Sequence, residues 1–139
     1  MSKNLKTRIL VFGTFDVLHP GHINFFQQAR RLAKNPFLIV SVARDINVLR
    51  IKNKKPKFYE TIRLKQIKKC KLVDKSLLGA KKNYLLHIKN QKPKIVALGH
   101  DQSVYTENLD KKLKIRGIKA KIVRLSPFYR KKFRSSLYK

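Results

Sequence analysis

Short apolar runs alternate along the chain with segments whose apolar residues are three or four positions apart. The runs are rich in Ile, Val and Leu and predict buried parallel strands at residues 9–12, 37–43, 75–78, 95–98 and 119–125. The intervening segments predict amphipathic helices, with apolar residues at Ile23, Phe26, Ala29 and Ala33, at Ile62, Leu64 and Ile67, at Leu85, Leu86 and Ile88, and at Leu109 and Leu113. This alternation predicts a single α/β domain over residues 1–139, with helices flanking a doubly wound, mostly parallel sheet of about five strands.

The composition indicates a folded and strongly basic protein. The chain has 139 residues, 42% of them hydrophobic, which is enough to form a core and argues against intrinsic disorder. Lysine and arginine total 35 against 7 acidic residues, so the formal net charge is +28. Because basic residues are spread along the whole chain, the charge predicts non-specific attraction to nucleic acids at low salt rather than a dedicated docking face. A non-catalytic RNA-binding protein stays one of the alternatives.

The apolar runs and the cysteine content exclude two other classes of protein. Uninterrupted apolar stretches such as residues 37–40 are far shorter than the roughly 20 residues that a membrane span needs, and the N-terminus has no apolar signal core. These features predict a cytoplasmic protein without a membrane partner. Cys70 is the single cysteine, which excludes an internal disulfide and a thiolate zinc cluster, and we expect it to be structural.

The segment after the first predicted strand carries the most distinctive chemistry. Gly13 permits a sharp turn off the strand, and residues 19–22 read His-Pro-Gly-His at the predicted start of a helix. Unpaired amides and the positive end of the helix dipole favour a phosphate there. Two imidazoles at that point can both donate to the phosphate and stabilise a pentavalent phosphorus, which predicts nucleotidyl transfer without a covalent intermediate. The alternative is a polar turn with capping histidines.

The place of this segment in the predicted fold supports the same chemistry. In doubly wound sheets, ligands bind beyond the carboxyl ends of the strands, where the strand order reverses. Residues 99–102, after the fourth strand, fall at the same edge. The G-x-G-x-x-G pattern is absent after the first strand, which disfavours a dinucleotide site. Asp16, Asp45 and Asp101 also follow predicted strands, and each of the first two is either a ligand contact or a helix cap.

Residues 13–16 (Gly-Thr-Phe-Asp) and 19–22 (His-Pro-Gly-His) resemble the G-T-F-D and H-x-G-H signatures of the cytidylyltransferase-like nucleotidyltransferases. The resemblance continues with Ala-Arg-Asp at 43–45, Arg63 at the start of a helix and Leu-Gly-His-Asp-Gln at 98–102, and it implies a Rossmann-like nucleotidyltransferase fold. The segments at 43–45 and 98–102 are most similar to the archaeal-type FAD synthases, which transfer AMP from ATP to FMN and release pyrophosphate. Glycerol-3-phosphate cytidylyltransferases, which use CTP, are the alternative, and no residue distinguishes the two bases.

The resemblance also implies roles for individual residues. His19 and His22 would be catalytic, holding the α-phosphate and stabilising the transition state. The nucleotide-binding set would be Gly13, Thr14, Phe15, His19, Pro20, Gly21, His22, Asp101, Ser135 and Ser136. Phosphate or substrate contacts would come from Lys55, Arg63, Tyr129 and Lys139, with a solvated loop as the alternative for Lys55 and core packing for Tyr129. We expect His100 to line the pocket and His87 to pack in a helix or lie at the surface.

The late part of the family signature, an Ile-Ser-Ser-Thr-x-x-Arg type segment, is matched only in part. Ser135 and Ser136 agree with it, but Arg134 replaces the first serine and Lys139 stands where arginine is usual. The segment is also shortened, and the alternative is a frayed basic tail.

The resemblance implies Mg²⁺ as a cofactor that enters with the nucleoside triphosphate, held largely by phosphate oxygens and water. The sequence itself indicates no closed protein metal site. The implied partners are ATP and FMN, or CTP and a phosphorylated small molecule. A homodimer is an expectation by resemblance alone.

Overall fold

A computed structural model of the chain describes residues 5–100, 102 and 108–127. Its elements follow in the order β1 (Thr7–Gly13), α1 (Pro20–Arg30), β2 (Pro36–Val42), α2 (Asp45–Lys52), α3 (Glu60–Lys68), β3 (Lys75–Leu78), α4 (Tyr84–Gln91), β4 (Ile95–Leu98), α5 (Leu109–Ile115) and β5 (Lys121–Arg124). Within this part of the chain, no helix has the length and apolar character needed to cross a membrane. The predicted site residues Asp101, Tyr129, Ser135, Ser136 and Lys139 lie outside the described residues.

The strands form one sheet in the order β3-β2-β1-β4-β5, and each neighbouring pair is parallel. The strand order reverses between β1 and β4, so the switch point lies beside the carboxyl end of β1. In the register, Gly13 lies opposite Val42 and Phe12 lies opposite Ser41. The predicted five-stranded, doubly wound α/β fold is confirmed, and its sheet is parallel throughout the described residues.

Alternating side chains along the strands form two cores, one on each face of the sheet. On one face, strand residues such as Ile9, Val11, Leu38 and Val40 pack with Phe26 of α1 and Ile67 of α3. On the other, Leu10, Ile39, Val96 and Leu98 pack with Leu85 and Ile88 of α4 and with Leu109 and Leu113 of α5. Strands covered on both faces have continuous apolar runs, which is why short runs predict these strands well.

Helix α2 is absent from the prediction made from periodicity. Of its apolar residues only Val48 is buried, whereas Ile46, Leu49 and Ile51 are exposed. A helix without a buried apolar stripe has no clear period of 3.6 residues, so the pattern gives no signal. The strand ends differ from the predicted ones by at most two residues. The largest differences are that β1 begins at Thr7 and that β5 begins at Lys121.

Candidate active site

The carboxyl ends of β1 to β4 open into one large cleft. Its volume is about 1370 Å³, whereas a pocket for one small molecule commonly has a volume of roughly 300–1,000 Å³. The cleft extends from Gly99 and His100 after β4, across the turn between β1 and α1, to the segment between β3 and α4. It therefore has room for two substrates that meet near the carboxyl end of β1.

Most of the predicted site residues that the structure describes line this cleft. They are Gly13, Thr14, Phe15, His19, Gly21, His22 and Lys55, together with His100. Pro20 is the first residue of α1 and lines an adjacent, smaller groove with Leu18 and Ile23. Arg63 lines neither the cleft nor this groove, because it is fully buried.

His19 and His22 together cap the amino end of α1. The Nδ1 atom of His19 accepts a hydrogen bond from the Gly21 N–H at 3.0 Å, and Nδ1 of His22 accepts one from the His19 N–H at 3.3 Å. The two rings are stacked with their centroids 3.9 Å apart. Because both Nδ1 atoms accept, the proton of each neutral ring lies on Nε2. Capping and phosphate binding are therefore compatible, since each ring keeps an N–H donor on the side opposite the cap.

The environment of His22 keeps its imidazole neutral near pH 7. Burial, followed by the electrostatic interactions with His19 and Lys52, lowers the pKa of His22 to about 4. The ring of Phe15 meets the His22 ring edge to face, with the centroids 5.3 Å apart, and Phe15 in turn packs on Phe26. His22 is thus a neutral donor on a fixed ring, which is the arrangement that stabilises developing negative charge.

The lowered pKa of His22 predicts a pH-dependent stability. The ring is protonated below pH 6.5 in the unfolded chain but only below about 4 in the folded chain, so the unfolded state binds more protons in between. We expect the free energy of unfolding to fall as the pH decreases through this window. His22→Gln is the reference variant, because glutamine at this helix position can preserve the capping box without titrating. Urea unfolding across the window measures the effect, and equal slopes for both proteins would contradict it.

Gly13 is required by the close approach of an aromatic ring. Phe15 has a left-handed backbone with φ 51° and is buried. Its ring covers Gly13, so a Cβ atom at residue 13 would lie 2.5 Å from the ring Cζ atom. An alanine at this position would displace the ring that packs against His22.

We expect Gly13→Ala to lower the free energy of unfolding by about 1–3 kcal/mol, as overpacking does, and also to lower turnover. Gly117→Ala is the matched control, because Gly117 has φ +71° but nothing within 4 Å of an added Cβ. It should cost about 1 kcal/mol through its backbone alone and leave turnover unchanged. Thermal unfolding and initial rates of both variants test this. Wild-type turnover in Gly13→Ala would show that the position of Phe15 does not matter to the chemistry.

A basic loop between α2 and α3 is tied to the turn after β1. The carboxylate of Asp16 accepts hydrogen bonds from the backbone N–H groups of Lys57 at 2.6 Å and Phe58 at 2.8 Å. Burial would raise the pKa of Asp16, but these hydrogen bonds and the charges of Arg63 and Lys52 outweigh it, and the pKa lies below its ordinary value. Asp16 therefore binds a loop of this chain and is not a helix cap.

Positive charge lines the cleft. The Nζ atom of Lys52 donates to Oγ1 of Thr14 at 3.2 Å, which places this lysine beside the histidines. The other basic residues of the lining are Arg50, Lys54, Lys55, Lys81 and Lys82, and Asp16 is the one acidic residue of the lining in the described part of the chain. Such a cleft attracts polyanions such as nucleotides and sugar phosphates.

Arg63 supports the site from behind, which corrects the predicted phosphate contact. It is 0% exposed. Its guanidinium donates to the carbonyl oxygen of Thr14 at 2.8 Å, to that of Phe58 at 2.9 Å and to Oδ1 of Asp45 at 2.6 Å. A planar guanidinium can join several acceptors at once, and these three occupy its Nη1, Nε and Nη2 atoms respectively. Arg63 therefore positions the Thr14 loop and has no free face toward the cleft.

Asp45 also belongs to this framework and is not the N-cap of α2, which is Arg44. The Asp45 N–H donates to Oε1 of Glu60 at 2.8 Å, and the Glu60 N–H donates to Oδ2 of Asp45 at 3.3 Å. Arg44 extends the network by donating from Nε to the Gly79 carbonyl oxygen at 2.7 Å. The starts of α2 and α3 and the segment after β3 are thus connected.

Gln102 connects the two strands of the switch point. Its Nε2 donates to the Phe12 carbonyl oxygen at 2.9 Å, and its Oε1 accepts from the Gly99 N–H at 2.7 Å. Arg124 donates to the carbonyl oxygens of Gly99 and Gln102. The turn after β4 is therefore held against the end of β1, which leaves His100 exposed at the edge of the cleft.

His87 lines the cleft, although the sequence pattern predicts packing or a surface position for it. It is half-buried, and its Nε2 lies 2.8 Å from Oγ of Ser41. Burial lowers the pKa of His87, and the charges of Arg44 and Lys75 act in the same direction. The signal that could have found this pair is Ser41, a polar residue at the end of an otherwise apolar buried strand.

The described residues include no group of three or more His, Cys, Asp or Glu side chains that could hold a metal ion. Asp16 already accepts a backbone N–H at each carboxylate oxygen. The described part of the chain therefore does not form a protein cage for a metal ion. A Mg²⁺ ion whose ligands are mostly phosphate oxygens and water needs no such cage.

Comparison with known proteins identifies the family of this chain. Residues 10–139 match the family model described as cytidylyltransferase-like. The chain belongs to the cytidylyltransferase-like family. A lipopolysaccharide core biosynthesis protein from Thermoplasma volcanium GSS1 has a similar structure, with a TM-score of 0.81 and 36% identity over 88% of this chain and 98% of that one.

Curated proteins with similar sequences include archaeal FAD synthases. The FAD synthase of Methanosarcina barkeri is 47% identical over 119 residues, which cover 86% of this chain and 83% of the relative. That of Aciduliprofundum boonei is 39% identical over 121 residues, which cover 87% and 79%. The predicted resemblance to this family and to its FAD synthases is confirmed.

Proposed function

We propose that this cytidylyltransferase-like protein is an FMN adenylyltransferase, which transfers AMP from ATP to FMN and releases pyrophosphate. The observation that carries the proposal is the stacked histidine pair at the start of α1, with both Nδ1 atoms engaged and both rings lining a basic cleft. The similarity to archaeal FAD synthases supports AMP as the group transferred and FMN as the acceptor.

The reaction is an in-line displacement at the α-phosphorus of ATP. A phosphate oxygen of FMN forms the new P–O bond while the bond to the bridging oxygen of pyrophosphate breaks. Because the substrate supplies the attacking group, no protein nucleophile is required. His19 and His22 donate from Nε2 to oxygens of the α-phosphate, where negative charge increases in the transition state. Lys52 and Lys55 reduce the repulsion between the two phosphorylated substrates and so favour their close approach.

The remaining contacts are part of the same proposal. The backbone around Gly13, Thr14 and Gly21 approaches the nucleotide closely, next to the start of α1. Mg²⁺ bound to ATP would be held largely by phosphate oxygens and water, and it would supply neutralisation of charge on the triphosphate. Contacts from Asp101, Tyr129, Ser135, Ser136 and Lys139 to the nucleotide or to substrate phosphates stay predictions, as do a homodimer and the attraction of nucleic acids by the net charge.

Pyrophosphate release by purified protein with Mg²⁺ tests the function. We expect release with ATP and FMN, with FAD as the second product by chromatography, and none from His22→Ala. Release with CTP and glycerol 3-phosphate instead would keep the mechanism and change the substrate class. Salt-sensitive RNA binding without release from either pair would favour a non-catalytic binding protein.

A further inference from the structure

A polar pair, the buried Ser41 and the half-buried His87, adjoins the apolar core on the α4 and α5 face of the sheet. Ser41 occupies the next position of β2 on that face after Ile39. It is 2% exposed, and its Oγ lies 2.8 Å from Nε2 of His87 on α4. Apolar side chains at these two positions would bury more apolar surface and contribute more to the stability of the core. The fold therefore does not account for the pair.

The pair lies in the cleft, on the opposite side of β1 from the turn after β4. Ser41 is opposite Phe12 on β1 and opposite Leu77 on β3, and both Ser41 and His87 line the cleft. Neighbouring strands are about 4.8 Å apart, so the pair is about one strand spacing from the end of β1. An acceptor whose phosphate lies at the start of α1 and whose body extends over β2 and β3 must pass Ser41 and His87.

The surroundings of the pair fit a flat ring. Ala43, Val48 and Tyr84 contribute apolar or aromatic surface to this half of the cleft. At Gly79 an added Cβ would lie 3.3 Å from Oγ of Ser41, so the absence of a side chain there keeps space open beside the hydroxyl. Apolar walls with a few placed hydrogen-bonding groups are typical of sites for flat heterocycles.

The pair has hydrogen-bonding capacity left for a ligand. A neutral imidazole has one donor and one acceptor nitrogen, and a serine hydroxyl has one donor and two lone pairs. Their mutual hydrogen bond uses only part of this capacity, and Nδ1 of His87 has no hydrogen-bond partner among residues 5–100, 102 and 108–127. The charges of Arg44 and Lys75 reinforce burial in keeping the pKa of His87 low and the ring neutral.

We propose that Ser41 and His87 bind the pyrimidine edge of the isoalloxazine ring of FMN and thereby select a flavin as the acceptor. That edge carries an N–H donor at N3 between two carbonyl acceptors, and the ring faces are apolar. Glycerol 3-phosphate has neither a ring nor such an edge. The assignment rests on the proposed function and adds to it the residues that determine acceptor specificity.

Steady-state kinetics of Ser41→Ala and His87→Leu test the assignment. Loss of a hydrogen bond to the acceptor should raise the KM for FMN about tenfold, while the KM for ATP stays within about twofold of wild type. Ser76→Ala is the matched control, because Ser76 lies on β3 outside the cleft lining. It should change neither constant. An unchanged KM for FMN in Ser41→Ala and His87→Leu would overturn the assignment.

An FMN analogue methylated at N3 separates recognition from structural support. Wild type should use this analogue about tenfold less efficiently than FMN, and Ser41→Ala and His87→Leu should lose most of that discrimination. A purely structural role would leave the ratio unchanged, and that result would overturn the proposal. If His87→Leu does not fold, Ser41→Ala and His87→Gln supply the same ratio.

Direct binding of FMN without ATP, followed by flavin fluorescence, distinguishes failure of this assignment from failure of the proposed function. If wild type binds FMN and the variants bind about tenfold less tightly, the assignment holds even where no FAD is made. If wild type makes FAD and the variants bind FMN equally well, only the assignment fails. If wild type neither binds FMN nor makes FAD, both fail.

Discussion

His19→Ser is expected to remove most of the turnover while leaving the fold and its stability near those of wild type. Serine is among the best N-cap residues, so its hydroxyl can accept the hydrogen bond that Nδ1 of His19 accepts from Gly21. Serine cannot reach the α-phosphate with an N–H donor. Loss of one positioned donor to developing negative charge lowers kcat by roughly 100- to 1,000-fold in comparable sites. Pyrophosphate release with ATP and FMN, together with thermal unfolding, measures both effects.

Two further variants separate capping from chemistry. His19→Ala loses both the cap and the donor, so it should match His19→Ser in turnover but unfold about 1 kcal/mol more easily. His22→Ala should also lose most of its turnover, because His22 supplies the second donor and its Nδ1 accepts from the His19 N–H. If His19→Ser retains turnover within about threefold of wild type, the pair acts only as a helix cap, and the proposed role in the transition state is wrong.

The features that could be predicted from the sequence are those determined by neighbouring residues. Ile95–Leu98 is a strand with the predicted bounds, because a strand buried on both faces is a local apolar run. Lys75–Leu78 also has the predicted bounds, although it is an edge strand with an exposed first residue. His19 and His22 are only three residues apart, so predicting where α1 begins is enough to predict that the two side chains lie together. Helix α2 has little buried surface and leaves no such local pattern.

The features that could not be predicted depend on residues that are far apart in the sequence. Arg63 is bound by acceptors at residues 14, 45 and 58, and the sequence of a basic protein does not indicate which cation is buried. His87 meets a serine 46 positions earlier, at the end of a strand that is otherwise apolar. In both cases the partners come from other elements of the fold, so the side chain's own segment does not show them.

Arg63→Lys is expected to destabilise the protein strongly although it keeps the positive charge. Lysine cannot donate to Asp45 and to the carbonyl oxygens of Thr14 and Phe58 with the geometry of a guanidinium, and at least one of these half-buried acceptors loses its partner. A hydrogen bond to a charged group contributes about 1.5–3 kcal/mol, so we expect a loss of about 3 kcal/mol when two are affected. For a chain of this size that lowers Tm by roughly 10 °C, which differential scanning calorimetry measures.

Lys55→Ala is the matched control, because Lys55 is exposed and lines the cleft. An exposed lysine contributes within about 0.5 kcal/mol to stability, so this variant should unfold like wild type and instead raise the KM for a phosphorylated substrate. The opposite result would be a wild-type Tm and a raised KM for ATP in Arg63→Lys. It would show that Arg63 contacts phosphate, as the sequence predicts. Stability therefore decides between the two roles, since a guanidinium that only neutralised phosphate could be replaced by an ammonium without unfolding the turn after β1.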